Sequence, residues 1–247
     1  MSIGLELPNQ FFHEHYLGFS YIVPAASDEA SQQCYYTKMF RDINVQGVQL
    51  IDIESRRSLY FLNEKFEDFF EPAFMSDYYV NRVGEKQRLD FTRYLCLLSA
   101  FKKLNDVNKV ARGFSGKKIE KYIEMYIYSV VGNDNEDIFG SFSVIFPDGN
   151  FADDIQRLQD TLDDLELPTE YPSIINMDMY FFGLIYHVLL CHHQIDVFRR
   201  RQLRDRIERE IDVLKDIGNH VQAPAQFQYM RIRLIRSIDI YESFVLS

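Results

Sequence analysis

Three charged residues, Glu54, Arg56 and Arg57, crowd into one helical turn shortly after Asn44 and Gly47. Glycine permits the positive φ of a tight turn, and guanidiniums beside such a turn suit a phosphate group or a nucleotide. The same residues also describe an ordinary solvated helix start, which is the favoured reading on spacing alone. A second basic stretch, Arg199, Arg200, Arg201, Arg204 and Arg206, could contact DNA phosphate. No catalytic residues emerge, because the sequence carries no nucleophile elbow, no Walker sequence and no paired-carboxylate constellation. Gly113-Phe-Ser-Gly-Lys-Lys lacks the glycine spacing and the leading strand of a phosphate loop. No metal site is read either. His13 and His15 have no partner set, and a histidine ligand among His187, His192 and His193 needs an oriented partner that the sequence does not reveal. The pairs Asp153/Asp154 and Asp163/Asp164 read as a solvent-facing acidic stripe.

The elements that must position these residues are mostly helical. Tyr16–Val23 is aromatic and β-branched and ends at Pro24, which predicts a strand. Its sequence neighbours include no partner strand, so the sheet would be completed elsewhere, including by another chain. A helix with an acidic first turn runs from Ser27 to about Ile43, and another covers residues 52–62. A short Phe-rich helical piece follows at Glu64–Phe70, where Phe66, Phe69, Phe70 and Phe74 read as a core patch rather than a ligand platform. Apolar residues at helical period predict helices at Lys86–Leu104, Lys117–Val131, residues 151–165, Ile174–His193, residues 196–217 and Ala225–Leu246. Phe139–Phe146 fits an extended segment or a helix start. The fold class is thus mainly α: a multi-helix bundle with a small N-terminal β element. Its regions are a segment with one strand (residues 1–24), a helical region (25–166) and a C-terminal bundle (173–247) packed with it as one domain. Leu167–Pro172 links the last two.

The run from Met39 to Tyr60 resembles the second signature of the DGQQR-type domain found in GmrSD-like, modification-dependent (type IV) restriction proteins. Phe40, Asn44, Gly47, Leu50, Glu54, Arg56, Leu59 and Tyr60 fall on that signature without a gap. Arg88-Leu-Asp90-Phe-Thr-Arg93 resembles the opening of the family's next helix, more loosely. The family's first half, a ParB/sulfiredoxin-like fold bearing Asp-Gly-Gln-Gln-Arg, has no counterpart in this sequence. The resemblance implies a helical part that forms one wall of a nucleotide- or DNA-sensing pocket through Asn44, Gly47, Glu54, Arg56 and, by proximity, Arg57. Catalysis would require a separately encoded DGQQR-domain partner, with nucleoside triphosphate and Mg as its cofactors. The alternative is a degenerate homologue acting as a helical protein-interaction or DNA-binding module. A stand-alone enzyme is the least favoured reading.

Composition bounds these readings. A chain of 247 residues with 47% hydrophobic and 15% aromatic content can bury one large core. Its net charge of −10 counts against general affinity for nucleic acid and leaves only a local basic face for DNA. Cys34, Cys96 and Cys191 are widely spaced, as in reduced thiols of a cytoplasmic protein. No secretory signal is read, and the apolar run Met177–Cys191 is too short to span a bilayer.

Overall fold

The computed structural model describes residues 52–82, 85–114, 118–132, 137–147 and 149–246, with isolated positions between Asp28 and Met39. The strand expected at Tyr16–Val23 lies outside the described residues. So do Asn44, Gly47 and most of the helix expected up to Ile43. Nine helices are described: α1 (Asp52–Tyr60), α2 (Glu67–Phe70), α3 (Phe91–Leu104), α4 (Lys118–Val131), α5 (Phe142–Ile145), α6 (Ala152–Leu165), α7 (Ile174–Ile185), α8 (Arg200–Lys215) and α9 (Phe227–Glu242). Three short strands, β1 (Tyr79–Arg82), β2 (Glu85–Arg88) and β3 (Glu170–Tyr171), form a sheet in the order β2-β1-β3. The architecture is mainly α with this small sheet, as expected for the class. No helix among the described residues is long and apolar enough to cross a membrane.

The chain departs from the expected elements at three places. Lys86–Arg88 extends into β2, antiparallel to β1 with Tyr79 opposite Arg88, because Asp90 starts the next helix later than expected. Its carboxylate accepts from the Arg93 backbone N–H at 3.1 Å, which is an N-cap contact. Glu170–Tyr171, within the expected linker, pairs parallel to β1 at Tyr79 and Val80. The helix expected over Ile174–His193 is α-helical only to Ile185, and Tyr186–Leu190 then widens into a π turn. The turn closes with the Cys191 N–H donating to the Tyr186 carbonyl at 3.0 Å. The undecided stretch Phe139–Phe146 contains the short helix α5.

Helix α7 is the central element, since every residue from Ile175 to Ile185 is buried. Its closest neighbour is α9. Gly183 admits that neighbour: its N–H donates to Ser237 Oγ at 2.7 Å, and Ser237 Oγ donates to the Met179 carbonyl at 2.8 Å. One turn on, Tyr241 donates to the Tyr180 carbonyl at 2.8 Å. At the other end of the core Phe66, Phe69, Phe70, Phe142, Phe146 and Phe151 interlock edge to face, with Phe69 5.2 Å from both Phe142 and Phe151. The phenylalanines of residues 66–74 are therefore packing residues, as their clustering in sequence suggested. Buried apolar residues from Leu59 to Phe244 join in one continuous core.

Candidate functional site

The first charged residues of the site come from α1 and from the start of α3. Arg56 is 1% exposed and forms a two-pronged pair with Asp90, Nη1 to Oδ1 at 3.0 Å and Nη2 to Oδ2 at 2.7 Å. Its Nε lies 2.8 Å from Glu120 Oε2 on α4. Planar guanidinium matched to carboxylate in this way is the strongest form of ion pair, and it locks three helices around one cation. Burial alone would lower the Arg56 pKa, but Asp90 and Glu120 outweigh it and drive the value up. Burial would likewise raise Asp90, yet the adjacent Arg56 guanidinium holds its carboxyl below the usual carboxylate range.

A second network lies one helical turn further along α3. Arg93 donates to both oxygens of Asp178, at 2.9 and 3.1 Å, and Tyr94 donates to Oδ1 at 2.6 Å. From the opposite side Arg233 Nε donates to Asp178 Oδ2 at 2.9 Å. Asp178 is fully buried, so its charge is held only by these donors. Burial opposes ionisation there, and the two arginines overcome it to leave its pKa lowered. The arginines differ in turn: Arg93 is shifted up by Asp178 against its burial, whereas for Arg233 burial and the nearby Arg93 prevail and shift it down. Arg233 continues the chain to His220, whose Nε2 lies 2.8 Å from Nη1. A guanidinium can only donate, so Nε2 accepts and His220 is neutral, stacked on Tyr229 at 4.7 Å.

Burial, and then the Arg233 charge, lower the His220 pKa from 6.5 to about 4. A histidine whose folded pKa is depressed stabilises the fold above its unfolded pKa, and that contribution fades as pH falls toward the folded value. Melting temperature should therefore decline between about pH 6.5 and about pH 4. In His220→Gln, whose amide oxygen accepts from Arg233 without titrating, the decline should be shallower. Equal slopes in the two proteins would show that His220 does not carry the effect.

Both networks border one cleft of about 800 Å³. Val80, Leu97, Ile123, Ile175, Phe227 and Met230 give it apolar walls, while Arg56, Asp90, Glu120, Arg93 and Arg233 line its polar side. Three guanidiniums (Arg56, Arg93, Arg233) face three carboxylates (Asp90, Glu120, Asp178), so the polar side is internally neutralised rather than a bare cationic trap. Two further cations, Arg88 and Lys215, line the same cleft and are exposed.

The expected site residues are distributed unevenly. Arg56 lines the cleft. Arg57 instead meets Glu71 at 2.9 Å and is outside the cleft lining. Asn44, Gly47 and the side chain of Glu54 lie outside the described residues. In the second basic stretch Arg199 stacks over Phe244 at 4.5 Å, Arg200 meets Glu166 at 2.9 Å and Arg206 donates to Ser243 at 2.9 Å. Arg204 caps the carbonyls of Leu165 and Glu166, and Arg201 is exposed. Sequence reasoning missed Glu120, Asp178, His220 and Arg233. Asp178 had a signal: it is the lone acid in the apolar run Ile174–His193, where a charge must be buried and paired.

Comparisons with protein-family models, curated proteins and solved structures find no match for this chain. Fold and site thus define it by architecture, as a mainly helical protein with a small sheet and a cleft walled by buried ion-pair networks.

Proposed function

We propose that this chain is the helical lobe of a GmrSD-like cytoplasmic defence protein, forming one wall of a nucleotide-sensing pocket. A separately encoded DGQQR-bearing partner supplies the catalytic half, with nucleoside triphosphate and Mg. One observation supports the reading. Arg56 of the first motif and Arg88, Asp90 and Arg93 of the next landmark line a single cleft, although Arg56 and Asp90 are 34 positions apart. The apolar walls suit a nucleobase, and Arg88 is an exposed cation available to phosphate in the same cleft, alongside Lys215, which pairs with Asp212 at 3.0 Å. Arg56 then acts as a positioning residue, because its guanidinium is occupied by Asp90 and Glu120.

Titration of the isolated chain with ATP and GTP tests this. Triphosphate binds without turnover, and Mg-dependent hydrolysis begins on adding the DGQQR partner. Arg88→Ala weakens binding roughly tenfold, the equivalent of about 1.4 kcal/mol for one lost charge contact. Turnover by the chain alone on the order of 1 s⁻¹ or faster refutes the split site. Unchanged affinity in Arg88→Ala removes the cleft as the phosphate site.

A second reading, a DNA-binding module, is favoured by Phe198. It is 95% exposed and lines a shallow concavity with Arg199, Arg200 and Arg201, an arrangement suited to base stacking beside phosphate. Salt-sensitive binding of single-stranded DNA that is lost in Phe198→Ala would select this reading over the first.

A further inference from the structure

The end of the central helix α7 carries a cluster unrelated to the cleft. The π turn Tyr186–Leu190 and the hydrogen bond from the His193 N–H to the His187 carbonyl, at 2.8 Å, fold the chain back on itself. His192 takes φ +57 in the reversal, a left-handed conformation that non-glycine residues rarely adopt. Such wide turns and strained positions persist where the surrounding structure enforces them, and they concentrate at functional sites. Here they bring two imidazoles together, with His187 Nδ1 3.2 Å from His193 Nδ1 and the rings nearly parallel at 24°.

Helix α9 completes the arrangement. His187 Nε2 lies 3.1 Å from the Ile238 carbonyl oxygen. A carbonyl only accepts, so Nε2 carries the proton and Nδ1 presents its lone pair. Glu242, one turn beyond Ile238 on the same helix face, places Oε2 3.5 Å from that Nδ1. The three donor atoms all lie within 4.8 Å of one another. A histidine whose second nitrogen donates to a backbone carbonyl is oriented in the way metal-ligating histidines are. Tetrahedral zinc, with bonds of about 2.0–2.1 Å, separates its ligand atoms by about 3.3–3.4 Å. The observed 3.2 and 3.5 Å bracket that spacing.

We propose that His187, His193 and Glu242 bind a divalent cation of the zinc class. Two imidazoles and one carboxylate are the donor set that borderline cations prefer over calcium or magnesium. His187 is fully buried, His193 is half-buried, and the Glu242 side chain is 66% exposed. The cation therefore enters from the Glu242 side and keeps water as its fourth ligand. Bound there, it ties the end of α7 to the end of α9 and fixes the reversal at His192.

The test uses the full chain, free of any polyhistidine tag, stripped with EDTA and titrated with zinc chloride by calorimetry. One equivalent binds, and the melting temperature rises. Cobalt(II) in place of zinc gives the intense visible absorption of tetrahedral coordination, and zinc abolishes it. His193→Ala and Glu242→Gln, altered at accessible side chains, each weaken zinc binding at least about tenfold. Asp239→Asn, an exposed carboxylate on α9 outside the cluster, leaves affinity unchanged. Absence of stoichiometric binding by the folded wild-type chain overturns the site. So does undiminished binding in His193→Ala and Glu242→Gln, or an equal loss in Asp239→Asn.

Discussion

Asp178→Asn is expected to lower the unfolding free energy by about 3–5 kcal/mol, the cost of removing one partner from a buried ion pair. The wild-type carboxylate is fully buried and accepts from Arg93 twice, from Tyr94 once and from Arg233 once. An asparagine fills the same space and still offers one oxygen, but it carries no charge. Arg93 and Arg233 would then face one another across a neutral amide in a medium of low dielectric. Tyr94→Phe provides the graded control, since it removes a single hydrogen bond to a charged acceptor, worth about 1.5–3 kcal/mol. The chain contains no tryptophan, so urea unfolding is best followed by far-ultraviolet circular dichroism. If Asp178→Asn unfolds within about 1 kcal/mol of the wild type, the network does not hold α3, α7 and α9 together.

Gly183→Ala should rank second, and its sign is the informative part. On an exposed helix this change stabilises by up to about 1 kcal/mol, because alanine is the better helix former. Here a Cβ at position 183 would stand 2.4 Å from the Ser237 carbonyl oxygen and 2.4 Å from Tyr241 Cδ2. It would also stand 2.8 Å from the Ser237 carbonyl carbon. Backbone atoms cannot rotate away, so α7 and α9 must part. Their separation stretches the Gly183–Ser237 and Tyr241–Tyr180 hydrogen bonds and opens space in the core. A loss of about 3 kcal/mol or more is expected, at the upper end of overpacking effects. The measurement is the urea midpoint at unchanged m-value, and a midpoint equal to or above wild type would contradict the close approach.

These two positions mark the boundary between what is local and what is not. Helical periodicity was legible along most of the described chain, because an amphipathic helix writes its buried face into the residue order every three or four positions. The core role of the 66–74 phenylalanines and the centrality of α7 were legible for the same reason: a segment apolar all round has nowhere to lie but inside. Arg56 was legible as a candidate through motif spacing, since the chemistry of a guanidinium beside a turn can be recognised without coordinates.

Only the tertiary structure decided which charges meet. Arg56 finds Asp90 and Glu120, and Asp178 finds Arg93 and Arg233, across intervals that no periodicity encodes. β2 could not be read from its own residues either. Glu85-Lys-Gln-Arg is polar throughout and takes its strand form from pairing with β1, while the Asp90 cap stops α3 from extending back into it. Beside the π turn, the contact of His187 with the Ile238 carbonyl likewise joins segments far apart in the chain. Residue order therefore determined which segments are helical and apolar, through side-chain direction within a few positions. Folding determined the cleft, the ion-pair partners and the histidine cluster, because those depend on distances between segments far apart in the chain.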